Sequence, residues 1–314
     1  MQLSNTLGTD RYAPYPLVDD AASFGLTSTV VVNSLGSTVT RHLPRRDNAR
    51  ATLFLHGAAG SWTTWTPVLR AARESGSDIP NPILFDLPGW GAAQLDETAD
   101  ATTIDVVCEL VRQSALELGY TQWDLVGHSM GGFIAMHMAA RWPENVRSVV
   151  TVSGTTWSVV DSVRHPVISF STLPAFVMLW RVMGVLAALG VVGRALVRAL
   201  DACRLLRLAV VPLFRHPFRV AESVIDALSH EVRPRSFVSA AEITRGYDPS
   251  VTWAAIVCPI IAVKGDRDVF VRNSDLISLS RLLPHARTAI IPDCGHFANI
   301  ERPHAVVQAM MTSR

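Results

Sequence analysis

At 314 residues, 49% hydrophobic and 18% charged, the chain is long enough for one large α/β domain, with or without an inserted subdomain, and too apolar to be disordered. Its formal charge of +1, with Lys264 the single lysine among 28 basic residues, lacks the basic balance that nucleic-acid partners call for. Cys108, Cys203, Cys258 and Cys294 lie far apart with no C-x-x-C spacing, which argues against a zinc site or disulfide framework and for reduced thiols in a cytoplasmic enzyme without cofactor or metal.

Residues 1–27 are polar, carry Pro14 and Pro16, and read as an extension packed on the surface. Met1 to Asp10 has neither the basic region nor the apolar core of a signal peptide. Ser28 to Ser34 and Ser37 to Leu43 then read as an antiparallel strand pair turning at Gly36, and Ala51 to Leu55 as a third strand running into His56-Gly57. From there strands and helices alternate. Thr66-Pro67 opens a helix that ends near Gly76, and Pro82 to Phe85 is a strand. Thr102 and Asp105 pair as a capping box before a helix with Ile104, Val107, Val111 and Leu118 on one face. Asp124 to Val126 is a short buried strand, Met130 to Trp142 a helix stopped by Pro143, and Val146 to Val152 another strand. Such alternation specifies a parallel sheet with crossover helices on both faces.

Between Thr155 and Tyr247 the rhythm breaks into apolar helical segments punctuated by Pro174, Gly190, Pro212 and Pro217. It resumes with strands at Pro259 to Val263 and Arg287 to Ile291, a helix near Asn273 to Leu283, and a C-terminal helix from Pro303. The chain therefore divides into an extension (1–27), a first core part (28–154), a helical cap (155–247) and a second core part (248–314). Pro166 to Gly193 contains a single charge, Arg181, but Pro174, Gly184 and Gly190 interrupt it as a membrane span. Between Arg181 and Arg219 seven arginines face one acid, Asp201, a local +6. This stretch reads as a lid whose apolar faces cover a pocket while its arginines stay in water; peripheral docking on a membrane surface is the other reading.

Gly127-His128-Ser129-Met130-Gly131 matches G-x-S-x-G, directly after a strand and directly before a helix. In that context a tight turn lifts the serine hydroxyl above the sheet, and the helix N-terminus faces developing negative charge. A serine hydroxyl needs a base, and His296 in Asp293-Cys294-Gly295-His296-Phe297 lies just past the last strand, where a loop can carry it over the sheet edge. The base needs an orienting acid. Gly265-Asp266-Arg267-Asp268 follows the penultimate strand, and either aspartate suits the order serine, acid, histidine. Two backbone donors for an oxyanion are assigned to Met130 N–H and, in the turn His56-Gly57-Ala58-Ala59-Gly60, to Ala58 N–H. Trp62, Trp65, Trp90 and Trp157 fall in loops near this site and, with Phe297, are candidates to line an apolar substrate pocket; buried loop anchors are the alternative.

These motifs, with Asp86-Leu87-Pro88-Gly89-Trp90-Gly91, make the chain from about Ser28 onward resemble the α/β-hydrolase superfamily. The resemblance implies a mostly parallel eight-stranded sheet with helices on both faces and a helical cap inserted after the sixth strand. It also selects Asp268, the second aspartate of a G-x-x-D turn, over Asp266. Epoxide hydrolases and dehalogenases of the superfamily use an aspartate at the elbow, where this chain has Ser129. Carbon–carbon hydrolases often carry Gly-Asn-Ser there and a tryptophan after the histidine, where this chain has His128 and Phe297. Hydrolysis of a carboxylic ester or lactone of an apolar small molecule is the expected activity. Carbon–carbon cleavage of a diketone-type substrate and a non-catalytic ligand-binding role are the alternatives.

Overall fold

Runs of β-branched and aliphatic residues, each four to seven long and fenced by turn residues, supply the strands of one eight-stranded sheet. The structure is a computed structural model that describes residues 11–33, 36–44, 48–93 and 103–313. The strands are β1 (Thr27–Asn33), β2 (Gly36–His42), β3 (Arg50–Leu55), β4 (Pro82–Asp86), β5 (Gln122–His128), β6 (Val146–Val152), β7 (Ile260–Gly265) and β8 (Arg287–Ile291). Their order across the sheet is β1-β2-β4-β3-β5-β6-β7-β8; β1, β2 and β4 pair antiparallel, and every other pair is parallel.

The central strands are buried on both faces, so they read as continuous apolar runs. Period-two alternation still sorts their side chains. Leu53 and Leu55 join one core with Trp123, Phe133 and Val149, whereas Phe54 between them joins the other with Trp65, Val126 and Val306. Helices α1 (Thr66–Glu74), α2 (Ile104–Glu117) and α3 (Met130–Arg141) cover the sheet along its first half. The cap of α2 differs from its expected form. Thr103 accepts from the Val106 N–H, Asp105 instead faces His137 at 3.1 Å, and Thr102 lies outside the described residues.

After β6 come eight α-helices and three short 3-10 turns before the next strand; the α-helices are α4 (Trp157–Arg164), α5 (Pro166–Ser169), α6 (Pro174–Ala188), α7 (Gly190–Ala202), α8 (Arg207–Val210), α9 (Glu222–His230), α10 (Pro234–Glu242) and α11 (Pro249–Thr252). Pro166, Pro174, Pro234 and Pro249 each stand at the first helical position, where the missing N–H costs nothing, so these prolines start helices rather than interrupt them. Among the described residues no helix is long and apolar enough to cross a membrane. Helices α12 (Asn273–Leu282), α13 (Ala298–Glu301) and α14 (Pro303–Thr312) complete the chain.

Strand order reverses at β3, which has β4 on one side and β5 on the other. A crevice beyond the carboxyl ends of the strands is expected at such a switch point. The turn after β3, the elbow after β5, the aspartate turn after β7 and the histidine loop after β8 all open on that edge.

Candidate active site

Ser129 sits between the last residue of β5 and the first of α3, with φ 50° and ψ −116°. A non-glycine residue at positive φ is strained, and the surrounding contacts hold it there. Its N–H donates to the Val152 carbonyl at 3.1 Å, and its own carbonyl accepts from Gly132 and Thr155 N–H at 2.9 Å each. The flanking glycines are steric requirements. A Cβ on Gly127 would lie 2.2 Å from the Gly131 carbonyl oxygen, and one on Gly131 would lie 2.0 Å from that of Leu55. Only with both absent can α3 start against β3 and β5.

His296, on the loop after β8, is buried, and its Nδ1 lies 2.9 Å from Asp268 Oδ1. That oxygen also accepts from the Phe270 and Val271 N–H groups at 2.8 and 3.1 Å. Burial opposes ionisation of Asp268, but the His296 imidazole and the hydrogen bonds outweigh it and hold the carboxyl below its usual range. Asp266 differs in every respect: it is exposed, and its Oδ1 accepts from the Cys294 N–H at 3.0 Å, tying the two loops together. The structure thus brings Asp268, rather than Asp266, to the imidazole.

The other two histidines near the site are structural. His128 is buried beside His296, and its Nε2 lies 3.0 Å from the His296 carbonyl oxygen. Burial first, and the neighbouring His296 second, push its pKa down to about 3. It is therefore neutral, and the carbonyl assigns the proton to Nε2. Gly57 is glycine for the same reason, since a Cβ there would come within 2.7 Å of His128 Nδ1. His56 bonds the Gly57 carbonyl through Nδ1 at 2.7 Å and accepts from the Leu87 N–H through Nε2 at 2.9 Å, so it braces the turn that carries Ala58.

A cavity of about 90 Å³ opens on Ser129 and His296, with Ala58, Met130 and Phe297 in its wall. The inserted helices supply much of the rest: Phe176 and Leu179 from α6, Leu213 after α8, and Phe237 from α10. Of the aromatic residues assigned to the pocket from sequence, only Phe297 reaches it. Trp65 is fully buried against Phe54 in the core. Trp62 is covered by the Arg41 guanidinium. Trp90 lines a smaller cavity with Leu87 and Ile104, and Trp157 packs edge-on against Trp253 and donates to Ser250 Oγ. Trp62 and Trp65 thus bury their rings in the core, and Trp157 packs at its edge.

Sequence reading also missed Glu301. This buried carboxylate accepts through Oε2 from the Gly295 and Arg215 N–H groups, both at 2.9 Å, and from the Tyr12 hydroxyl at 2.7 Å. Its Oε1 accepts from the Phe297 N–H at 3.2 Å. Burial raises its pKa, and these four donors oppose the rise. One carboxylate thus joins both flanks of His296 to the segment after α8 and to residue 12, and the His296 N–H adds a bond to the Leu213 carbonyl. Tyr12 is accordingly buried, as are Tyr15 and Leu26, so residues 11–27 are not merely a surface extension, and residues 1–10 lie outside the described residues. In Glu301→Gln the amide nitrogen would face at least one N–H donor, and an unmatched buried donor costs about 1–3 kcal/mol. A fall in Tm of a few degrees is expected by calorimetry, at about 1.5 °C per kcal/mol for a chain of 314 residues. An unchanged Tm would remove Glu301 from this role.

Comparison with known proteins gives the family and the fold. Residues 52–309 match the model of the alpha/beta hydrolase family. The chain is 25% identical over 280 residues to 2-(acetamidomethylene)succinate hydrolase of Mesorhizobium japonicum, covering 87% of this chain and 90% of that protein. It is 20% identical over 294 residues to bifunctional epoxide hydrolase 2 of Mus musculus, covering 86% of this chain but spanning only about half, 52%, of that protein. Among solved structures, the enol-lactonase from Burkholderia xenovorans LB400 superposes with a TM-score of 0.65 at 18% identity, covering 90% of this chain and 98% of the other, which shows a shared fold.

Proposed function

The chain belongs to the alpha/beta hydrolase family, and we propose that it is a hydrolase that cleaves a carboxylic ester or lactone of an apolar small molecule through an acyl-enzyme on Ser129. In this reading His296 takes the Ser129 proton as Oγ attacks the substrate carbonyl, and Asp268 stabilises the imidazolium. The N–H groups of Ala58 and Met130 receive the oxyanion, each contributing roughly 3 kcal/mol in the transition state. Collapse of the tetrahedral intermediate breaks the ester C–O bond, and His296 returns the proton to the leaving alkoxide. Water, deprotonated by His296, then attacks the acyl group and frees Ser129 as the acid product departs.

One observation carries the proposal: a serine held at φ 50° at the head of a helix shares an apolar cavity with a histidine whose other nitrogen meets a buried carboxylate. The epoxide hydrolases among the relatives supply no closer reading, because the elbow residue here is Ser129. A panel of chromogenic esters, lactones and β-diketones tests it. Turnover confined to the diketones would move the reaction to carbon–carbon cleavage, and no turnover of any member would favour a binding role.

The helices after β6 are proposed to set substrate size, because Phe176, Leu179 and Phe237 wall the cavity. In Phe237→Ala the kcat/KM optimum is expected to move to longer acyl chains. Removing one methylene-sized contact changes such preferences by about 10-fold or more. An unchanged chain-length profile would place the substrate elsewhere.

A further inference from the structure

Most large apolar side chains that reach solvent belong to one segment of the chain. Among the described residues, thirteen of the nineteen exposed large hydrophobics fall between Val167 and Phe218, roughly a sixth of the chain. Scattered single exposures are ordinary, but a gathered patch marks a contact surface. Within it α6 carries Met178, Val182 and Val185, and its C-cap is Leu189; the four are spaced four, three and four residues apart and each is 48–62% exposed. That spacing puts them on one stripe. Buried Phe176, Val177, Trp180 and Met183 occupy the opposite face. Helix α7 adds exposed Val192 and Leu196, one turn apart.

The charge around the stripe is one-sided. Arg204 and Arg207 are paired with Glu222 and Asp226, and Arg215 lies 3.5 Å from Asp293. Asp201, the single acid between Arg181 and Arg219, faces His230 at 3.3 Å. Exposed Arg181 flanks the stripe on α6, whereas exposed Arg194 and Arg198 lie on the face of α7 opposite Val192 and Leu196, where with Asp201 they border an open groove of about 390 Å³ between α7 and α10. A second copy docking through the same face would bring a second set of surplus positive charges with it, which like-charge repulsion disfavours. An anionic surface with an apolar interior matches both features.

We infer that the outer face of α6 and α7 docks on an anionic lipid bilayer, with the stripe of Met178, Val182, Val185 and Leu189 at the level of the acyl chains and Arg181, Arg194 and Arg198 at the headgroups. Helix α6, at 15 residues about 22 Å long, lies along such a surface rather than through it. Because Phe176 and Leu179 of the same helix wall the cavity, docking sets the proposed substrate site one helix away from membrane-dissolved esters. That consequence rests on the ester-hydrolase reading; docking itself does not, and the two are measured separately.

The test is sedimentation of the full chain with vesicles of phosphatidylcholine alone or with phosphatidylglycerol, at low and high salt. Sedimentation with the anionic vesicles, weakened by salt, is expected. Val182→Glu/Val185→Glu should reduce partitioning at least about tenfold by placing charge at the apolar level. Arg194→Gln/Arg198→Gln should reduce it about twentyfold or more, from roughly fivefold per basic residue near an anionic surface. All these positions lie outside the Ser129 cavity, so turnover of a soluble short-chain ester should be unchanged in both variants and also reports that they fold. Turnover of a vesicle-dissolved long-chain ester should fall with partitioning. Absence of the unmodified chain from anionic vesicles at low salt would overturn the proposal, as would partitioning indifferent to Val182→Glu/Val185→Glu. So would a dimer in sedimentation velocity that this variant dissolves, which would assign the face to self-association. A chain that turns over no ester yet still sediments would leave docking standing and remove the catalytic reading alone.

Discussion

Ser129→Ala is expected to lower kcat by at least about a thousandfold, with Tm nearly unchanged. The loss follows from the chemistry proposed for the elbow: without Oγ no acyl-enzyme forms, and what remains is whatever rate the cavity and backbone donors give to a water attack. Stability is spared because the strain at this position lies in the backbone. Residue 129 keeps φ 50° whether it is serine or alanine, held by Val152 on one side and by Gly132 and Thr155 on the other. A fluorophosphonate probe gives a second, independent readout. It should label the unmodified chain at Ser129 and leave Ser129→Ala unlabelled. Labelling that persists in the variant, or a variant that retains full turnover, removes Ser129 as nucleophile.

Those parts of the molecule were legible whose constraint is local. Strands β6 and β8 appear at the bounds their β-branched runs indicate, because each is fenced by residues that cannot continue it. The elbow is legible because backbone at 2.0–2.2 Å from a hypothetical Cβ permits only glycine, and that demand is written directly into the sequence. The aspartate turn is half legible: two carboxylates share it, and only the three-dimensional path of the loop decides which one points inward. The cavity wall was not legible. Phe176, Leu179 and Phe237 reach it through the packing of the inserted helices, and nothing in their local sequence separates them from Met178 or Val182, which face outward on the same helix as two of them. Of the apolar residues of α6, Phe176 and Leu179 line the cavity, whereas Met178, Val182 and Val185 face solvent. Glu301 shows the same limit for charge, since a lone glutamate between Ile300 and Arg302 looks solvated until its four donors are assembled around it.

The largest effect is expected at the acid. Asp268→Asn should lower kcat by up to about ten-thousandfold, whereas Asp266→Asn should cost less than about tenfold. In the present geometry Asp268 Oδ1 meets His296 Nδ1 at 2.9 Å while accepting from Phe270 and Val271. An asparagine preserves the shape and can keep its oxygen on those two N–H groups. It then lacks the negative charge that the imidazolium needs, and if it turns, its amide meets Nδ1 as a donor and selects the wrong tautomer. Asp266 holds only the Cys294 N–H, which an asparagine oxygen can still accept, so that variant should melt near the unmodified chain and keep its activity. The pH–rate profile separates loss of charge from loss of fold. Turnover measured across the pH range should stay low throughout for Asp268→Asn, whereas a melting curve at neutral pH should show both variants folded. The carboxyl of Asp268 is itself held below its usual range, hence below the unfolded value near about 4. Its contribution to stability is therefore present above that value and is lost as pH falls through the lower folded pKa, a loss that Asp268→Asn should abolish. Should Asp266→Asn be the inactive variant and Asp268→Asn retain turnover, the acid is Asp266, and the histidine loop must move before it reacts.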